Sequence, residues 1–324
     1  MSADSTAAVT VIHDDVFDEH DWPGHPESAQ RLAAVKHRLR SDPRLSKLPH
    51  DTAPDVDADL LLAVHSDSHL RDVERVARGG GGWIDADTYC TERSYEVARR
   101  AAGAAVRATE LVCAGESRTA FALVRPPGHH ATPDRAMGFC LVNNAAVAAR
   151  AAQRRFGLER IAVVDIDVHH GNGTQEVFYE DPSVLYCSLH QWPLYPGTGR
   201  AGETGTGHGE GTTLNVPLSP GTDGVRWMAA FQERVLPALA AHRPELVVVS
   251  AGYDAHRADP LAALALEDTT YADVATELAA VAGEHAGGRM VWVLEGGYDL
   301  GALAASVAAT LEILATEPGT AAER

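Results

Sequence analysis

Cysteine is scarce in this chain, and the four present, Cys90, Cys113, Cys140 and Cys187, never fall in C-x-x-C spacing. That scatter excludes a disulfide framework and a Cys-rich zinc site, and predicts free thiols. Basic residues are also few, 27 Lys and Arg against 45 Asp and Glu, for a formal charge of -18. Bulk electrostatic binding to nucleic acid or to an anionic membrane is thereby disfavoured, and the acidic excess reads as a solvated surface. No apolar run approaches the roughly 20 residues of a membrane span. The start, MSADSTAAVTVIHDD, lacks the basic and apolar regions of a signal peptide, so a cytoplasmic location is expected. Repeats and Pro- or Ser-rich linkers are missing too. One domain over 1–324 is predicted, with disordered tails at 1–6 and about 317–324.

What is present is a hydrophobic fraction of 45% with 22% charged residues, the composition of a well-buried globule. A first strand is predicted at 7–13, then a loop over 14–27 with Trp22, Pro23, Gly24 and Pro26. Helices follow at 28–40, with Leu32, Val35 and Leu39 on one face, at 66–77, capped by Ser66 or Asp67, and at 91–113. Segment 57–64 fits a short helix or a strand. Thereafter strands at 119–124, 161–168, 184–189, 246–250 and 290–294 alternate with helices at 143–155, 224–242, 270–284 and 301–315. Such alternation predicts an α/β fold, a parallel sheet covered on both faces. The Gly-rich stretch 191–213 is long and irregular, and loops of that length are usually functional.

Strand 161–168 runs into Asp165-Ile-Asp167-Val-His169-His170-Gly-Asn172-Gly173. Alternation along a strand sets Asp165, Asp167 and His169 on one face, as potential metal ligands. Three other strands also end in polar clusters: Arg125-Pro-Pro-Gly-His129-His130, Ala251-Gly-Tyr253-Asp254 and Glu295-Gly-Gly-Tyr298. A parallel sheet brings all four ends to one edge, where open α/β sheets bind their ligands. Each cluster alone also reads as a turn or a packed core group; their coincidence favours chemistry. Weaker signals are set aside. Gly197 to Gly202 fits a dinucleotide fingerprint but lacks the flanking strand and helix, and His65 and His69 lack the Glu of a zincin. Cys140 reads as buried filler.

Taken together, these motifs resemble the zinc-dependent histone deacetylase superfamily, including histone deacetylase-like and acetylpolyamine amidohydrolases. Further carriers are His25-Pro-Glu27 with Arg31-Leu32, Gly138-Phe139-Cys140 with Asn143-Asn144, Ser188-Leu189-His190, Tyr195-Pro-Gly-Thr-Gly199, Asn215-Val-Pro217 and Asp259-Pro-Leu261. The match spans nearly the whole chain. It implies a three-layer α/β/α domain with a mostly parallel eight-stranded sheet, as in arginases and deacetylases.

The resemblance also implies one catalytic Zn²⁺ held by Asp167, His169 and Asp254, with a place left for water and the substrate carbonyl. His130 is then the general base and acid, His129 its electrostatic partner, and Asp165 and Asn172 orient His129 and His130. Asn172, where many eukaryotic class I members have Asp, places the chain with class II and its bacterial relatives. Tyr298 would be the oxyanion donor. Gly138, Phe139 and Tyr195 would line a narrow tube, with Leu261 at a position where a polyamine-selective branch carries Glu. K⁺ is implied beside the zinc, through Asp165, the carbonyls of Asp167, His169 and Leu189, and the Ser188 hydroxyl, with a second K⁺ site near Phe178 and Val184. His25, Glu27 and Arg31 are expected to build the outer wall or to pack.

The expected reaction is hydrolysis of an acetylated primary amine, of acetyl-lysine type, to acetate and free amine. An acetylpolyamine or a small metabolite is the alternative substrate, and a homo-oligomer is compatible with the sequence. Two other classes are a weakly catalytic acetyl-lysine binding protein and a dimanganese ureohydrolase. The intact set of reactive residues argues against the first, and the lack of a second set of metal ligands argues against the other.

Overall fold

Eight strands, seven of them largely apolar and one the short polar pair His50–Asp51 at an edge, form one wholly parallel sheet in the computed structural model, which describes residues 6–316. In chain order the strands are β1 (Ala7–Ile12), β2 (His50–Asp51), the small hairpin β3 (Gly82–Trp83) and β4 (Tyr89–Cys90), β5 (Ser117–Ala122), β6 (Ile161–Asp165), β7 (Val184–Gln191), β8 (Thr213–Leu218), β9 (Leu246–Ala251) and β10 (Met290–Leu294). The main sheet has the order β2-β1-β5-β10-β9-β6-β7-β8. Its central strands IAVVD, LVVVSA and MVWVL are nearly unbroken β-branched or apolar runs, buried throughout. That is the pattern of a parallel strand covered on both faces.

The helices are α1 (Gln30–Ser41), α2 (Ala58–Leu61), α3 (Asp67–Arg78), α4 (Ser94–Cys113), α5 (Asn144–Phe156), α6 (Asn172–Phe178), α7 (Gly224–Ala230), α8 (Leu236–His242), α9 (Asp268–His285) and α10 (Leu300–Leu314). Helix α4 packs on α5, and α10 packs on both α1 and α9, giving two helical groups around the sheet. Starts carry side-chain caps: Ser66 accepts the His69 N–H, Asn143 that of Ala146 and Asp299 that of Ala302. Gly157 closes α5 in the left-handed conformation and Gly287 and Gly288 form the turn before β10, both on the edge opposite the strand C-termini. No helix among the described residues is long and apolar enough to cross a membrane.

Several boundaries differ from expectation. β6 stops at Asp165, so Asp167 and His169 lie in a turn and not on a strand. β7 continues to Gln191 to pair with β8, a strand that the Pro and Asn of TLNVPL conceal. Pro217 is tolerated there because β8 is an edge strand. The single helix expected at 224–242 contains a π-turn at Phe231–Val235. Pro237, two residues past Val235, has no N–H to continue an α pattern, which accounts for the wider turn. Of the tails expected to be disordered, 1–5 and 317–324 lie outside the described residues, whereas Thr6 donates to the Gly115 carbonyl at 3.1 Å.

Candidate active site

Asp165 closes β6 opposite Ser188 of β7 and Ser250 of β9. Past it the chain turns sharply, and carboxylates take its free N–H groups. Asp165 Oδ1 accepts from Asp167 N (3.2 Å), Asp254 Oδ1 from Val168 N (2.8 Å), and Asp167 Oδ1 from His169 N (2.9 Å). The turn thus achieves the convergence that strand alternation does not. Asp167, His169 and Asp254 each offer one ligand atom, all within 4.8 Å of one another. His169 Nδ1 lies 3.1 Å from Asp167 Oδ1 and 3.1 Å from Asp254 Oδ2. That spacing is close to the ~3.3 Å edge of a tetrahedron with bonds of about 2 Å, as around zinc.

The electrostatics call for a cation in the same place. Burial and the neighbouring Asp167 push the Asp254 carboxyl up to about 7. Burial opposes charge on His169 as well, yet hydrogen bonds to the two carboxylates push it up to about 10. Two buried carboxylates around one imidazole fit a divalent cation. Space for them depends on glycine. A Cβ on Gly252 would stand 2.1 Å from Asp167 Oδ2, and one on Gly296 would stand 2.1 Å from Asp254 Oδ2.

The histidine pair lies beside this cluster on the loop after β5, its rings 4.0 Å apart. His129 Nδ1 donates to Asp165 Oδ2 (3.0 Å), and His130 Nδ1 to Asn172 Oδ1 (2.9 Å) at the start of α6. Their partners set them apart. Burial disfavours charge on both, but the facing Asp165 and Asp167 hold His129 well above the usual histidine range. His130 has a neutral amide instead, and burial with the charges of His129 and His169 holds it well below that range.

Tyr298 approaches on the loop after β10. The Arg31 guanidinium lies over its ring at 5.0 Å, and Phe139 meets it edge-on at 5.7 Å. Arg31 is fully buried, donating from Nε to the Gly297 carbonyl (2.7 Å) and from Nη2 to that of Glu295 (2.5 Å). It supports the Tyr298 loop from beneath, which places it in the packing and not in the outer wall. Glu27 joins it to Arg125, whose Nε and Nη2 reach Glu27 at 2.5 and 2.8 Å.

Phe139 stands in the left-handed region, φ 68°, a conformation that costs roughly 1–2 kcal/mol without glycine. Such strain marks functional positions, and here it turns the ring between His25 and Tyr298. Gly138 runs so close beneath His130 that a Cβ would come within 2.4 Å of its ring. Tyr195, 37% exposed, meets His130 edge-on at 5.1 Å. Its loop is tied down: His170 pairs with Thr198, His190 with the Gly199 carbonyl, and Glu203 accepts from Gly199 N.

Of the residues expected around potassium, Asp165 and Ser188 are ladder neighbours and Leu189 is buried in β7. Ser188 Oγ is within 2.9 Å of His190 Nδ1. His65 spends both ring nitrogens on backbone partners, Thr132 O and Asn143 N. Cys140 is buried, which raises its thiol far above the usual range. Sequence reasoning missed two carboxylates. Glu295 Oε2 accepts from Gly128 N (2.6 Å) and His129 N (3.1 Å), and burial pushes it up to about 7. Asp259 accepts from Tyr298 N at 2.7 Å. Both stood inside quoted motifs, but their partners are backbone groups distant in sequence.

Comparison with known proteins agrees with this geometry. Residues 25–314 match the family described as histone deacetylase domain. The histone deacetylase-like amidohydrolase of Pseudomonas aeruginosa is 44% identical over 85% of this chain and 73% of its own length. A probable deacetylase of Archaeoglobus fulgidus is 42% identical over 90% of this chain and 81% of its own. The crystal structure of the HDA15 HD domain superposes with a TM-score of 0.90 at 39% identity, covering 96% of this chain and 90% of that one. With the paired histidines, the Asp-His-Asp cluster and the tyrosine loop gathered at one sheet edge, the chain belongs to the histone deacetylase superfamily, in its bacterial type.

Proposed function

We propose that the protein is a zinc-dependent deacetylase that hydrolyses the acetamide of an acetylated primary amine, of acetyl-lysine type, to acetate and free amine. The observation that carries this reading is the unequal histidine pair beside the Asp167, His169 and Asp254 cluster, with Tyr298 on the neighbouring loop. Zinc held by those three residues would supply Lewis acidity toward the carbonyl and acidify a water.

The chain's own groups do the rest. His130, unprotonated at neutral pH and fixed through Nδ1 by Asn172, presents Nε2 to take a proton from the attacking water. As the water oxygen bonds to the carbonyl carbon, Tyr298 donates its hydroxyl to the carbonyl oxygen. The C–N bond then breaks and His130 returns the proton to the departing amine. His129, held charged by Asp165, offsets the negative charge that builds nearby. Phe139 and Tyr195 flank the alkyl stem and exclude water. A potassium ion at Asp165 and Ser188, with the carbonyls of Asp167, His169 and Leu189, belongs to the same proposal, and so does a substrate-selecting role for Leu261.

A substrate panel tests the reading. Zinc-loaded protein should release acetate from an acetyl-lysine peptide, acetylspermidine or acetylputrescine, and a hydroxamate should block it. Absence of hydroxamate-sensitive turnover on all three would overturn it. Two manganese ions per chain by elemental analysis would point to ureohydrolase chemistry instead.

A further inference from the structure

We propose that Asp259 is a positioning residue that locks the Tyr298 hydroxyl and the wall residue Leu261 into one frame, so that what binds at position 261 alters carbonyl polarisation at 298. The inference rests on the roles proposed above for Tyr298 and Leu261.

Asp259 is 7% exposed, and among the described residues no Lys, Arg or His forms an ion pair with it. Backbone N–H groups hold it instead, and its two oxygens divide between two loops. Oδ1 accepts from Leu261 N at 3.0 Å, within its own turn. Oδ2 accepts from Tyr298 N at 2.7 Å and more distantly from Asp299 N at 3.4 Å. A lone buried carboxylate is costly unless several donors satisfy it, so its presence between these loops calls for a reason.

The surroundings of Tyr298 supply one. Gly296 N is taken by Asp167 Oδ2, the Gly297 carbonyl by Arg31, and Asp299 begins α10 as its cap. Between those anchors the Tyr298 peptide is held through the Asp259 contact. The hydroxyl lies at the far end of a long side chain, where a small rotation of the peptide becomes a large displacement. Misplacing a reacting group by about 1 Å can lower a rate roughly 10²-fold. Because the same carboxylate grips Leu261, a substrate that presses on residue 261 pulls on the oxyanion donor.

The test compares kcat and KM on an acetyl-lysine peptide, with the zinc-loaded full chain. Asp259→Asn has one accepting oxygen where the carboxylate has two, so one of the two loops must be released. We expect kcat to fall by about 10-fold or more with KM changed by less than about 3-fold, the mark of an interaction made in the transition state. In a Tyr298→Phe background the same substitution should cost less than about 2-fold, because the hydroxyl it positions is gone. Equal losses in both backgrounds would overturn the assignment to Asp259 alone. A Tyr298→Phe protein with undiminished kcat would remove the oxyanion reading itself, and this inference with it.

Should Asp259→Asn not fold, Leu261→Ala decides, since Leu261 is partly exposed and the carboxylate stays in place. Coupling requires that Leu261→Ala change both kcat and KM in the parent, but only KM in the Tyr298→Phe background. An effect confined to KM in both would sink it.

Discussion

At the scale of single residues, the proposed mechanism ties the pH response of the site to Asn172. With His130 as the proposed base, activity should be present above its pKa and lost as pH falls through it. Burial and the charge of His129 hold that pKa low, and the neutral Asn172 does little to raise it. Asn172→Asp would put a negative charge at the same 2.9 Å contact and move the acid limb of kcat/KM to higher pH. A pH profile of the two proteins should show that displacement; superimposable limbs would contradict the role given to Asn172. Tyr298→Phe should lower kcat by roughly 10²-fold with a smaller change in KM. Gly296→Ala should abolish stoichiometric zinc binding, since the added Cβ meets Asp254 Oδ2 at 2.1 Å, and metal analysis of the purified variant would reveal it. The residues gathered at the candidate site were legible because their chemical types, imidazole, carboxylate and phenol, recur at strand ends. Asp165, Asp167 and His169 were grouped by a strand that ends too soon, and the turn brings Asp167 and His169 to Asp254 by hydrogen bonds that spacing does not encode. Glu295 and Asp259 escaped because carboxylates that serve backbone groups leave no motif of their own.

At the scale of elements, the buried Glu27 joins four pieces of chain. It meets Arg31 of α1 and Arg125 beyond β5, accepts from the Tyr89 hydroxyl of β4, and lies 3.5 Å from His20. Despite complete burial, Arg125, His20 and Arg31 lower its carboxyl to about 2. Glu27→Gln leaves two buried guanidinium groups without their anion and should destabilise the fold by about 3–5 kcal/mol, read as a lowered denaturant midpoint. The sign in pH follows from the depressed value. Stability from Glu27 is complete above the ordinary carboxylate range and lost as pH falls toward about 2. His20, which burial lowers to about 3, acts in the same direction, because only the unfolded chain gains its proton near pH 6.5. Long elements were legible from periodicity. Among those that were not, β8 and the π-turn lie where proline departs from the regular pattern, while α6 and strands β2, β3 and β4 are too short to show a period.

For the whole molecule, the parallel sheet gathers the candidate site from the ends of β5, β6, β9 and β10. These ends carry buried carboxylates whose mutual repulsion a cation would relieve, so binding of the proposed metal would be linked to folding. Chelation should lower the melting temperature by roughly 6 °C if zinc is near 1,000 times its dissociation constant, as calorimetry with and without chelator would measure. An unchanged melting temperature would argue that the cluster does not hold metal in the folded state.

The left-handed Gly287 and the following Gly288 lie across the sheet from all of this chemistry. The turn is an attachment point: an affinity loop or fluorescent domain spliced there would leave turnover untouched, and would let the enzyme be tethered with its pocket facing outward.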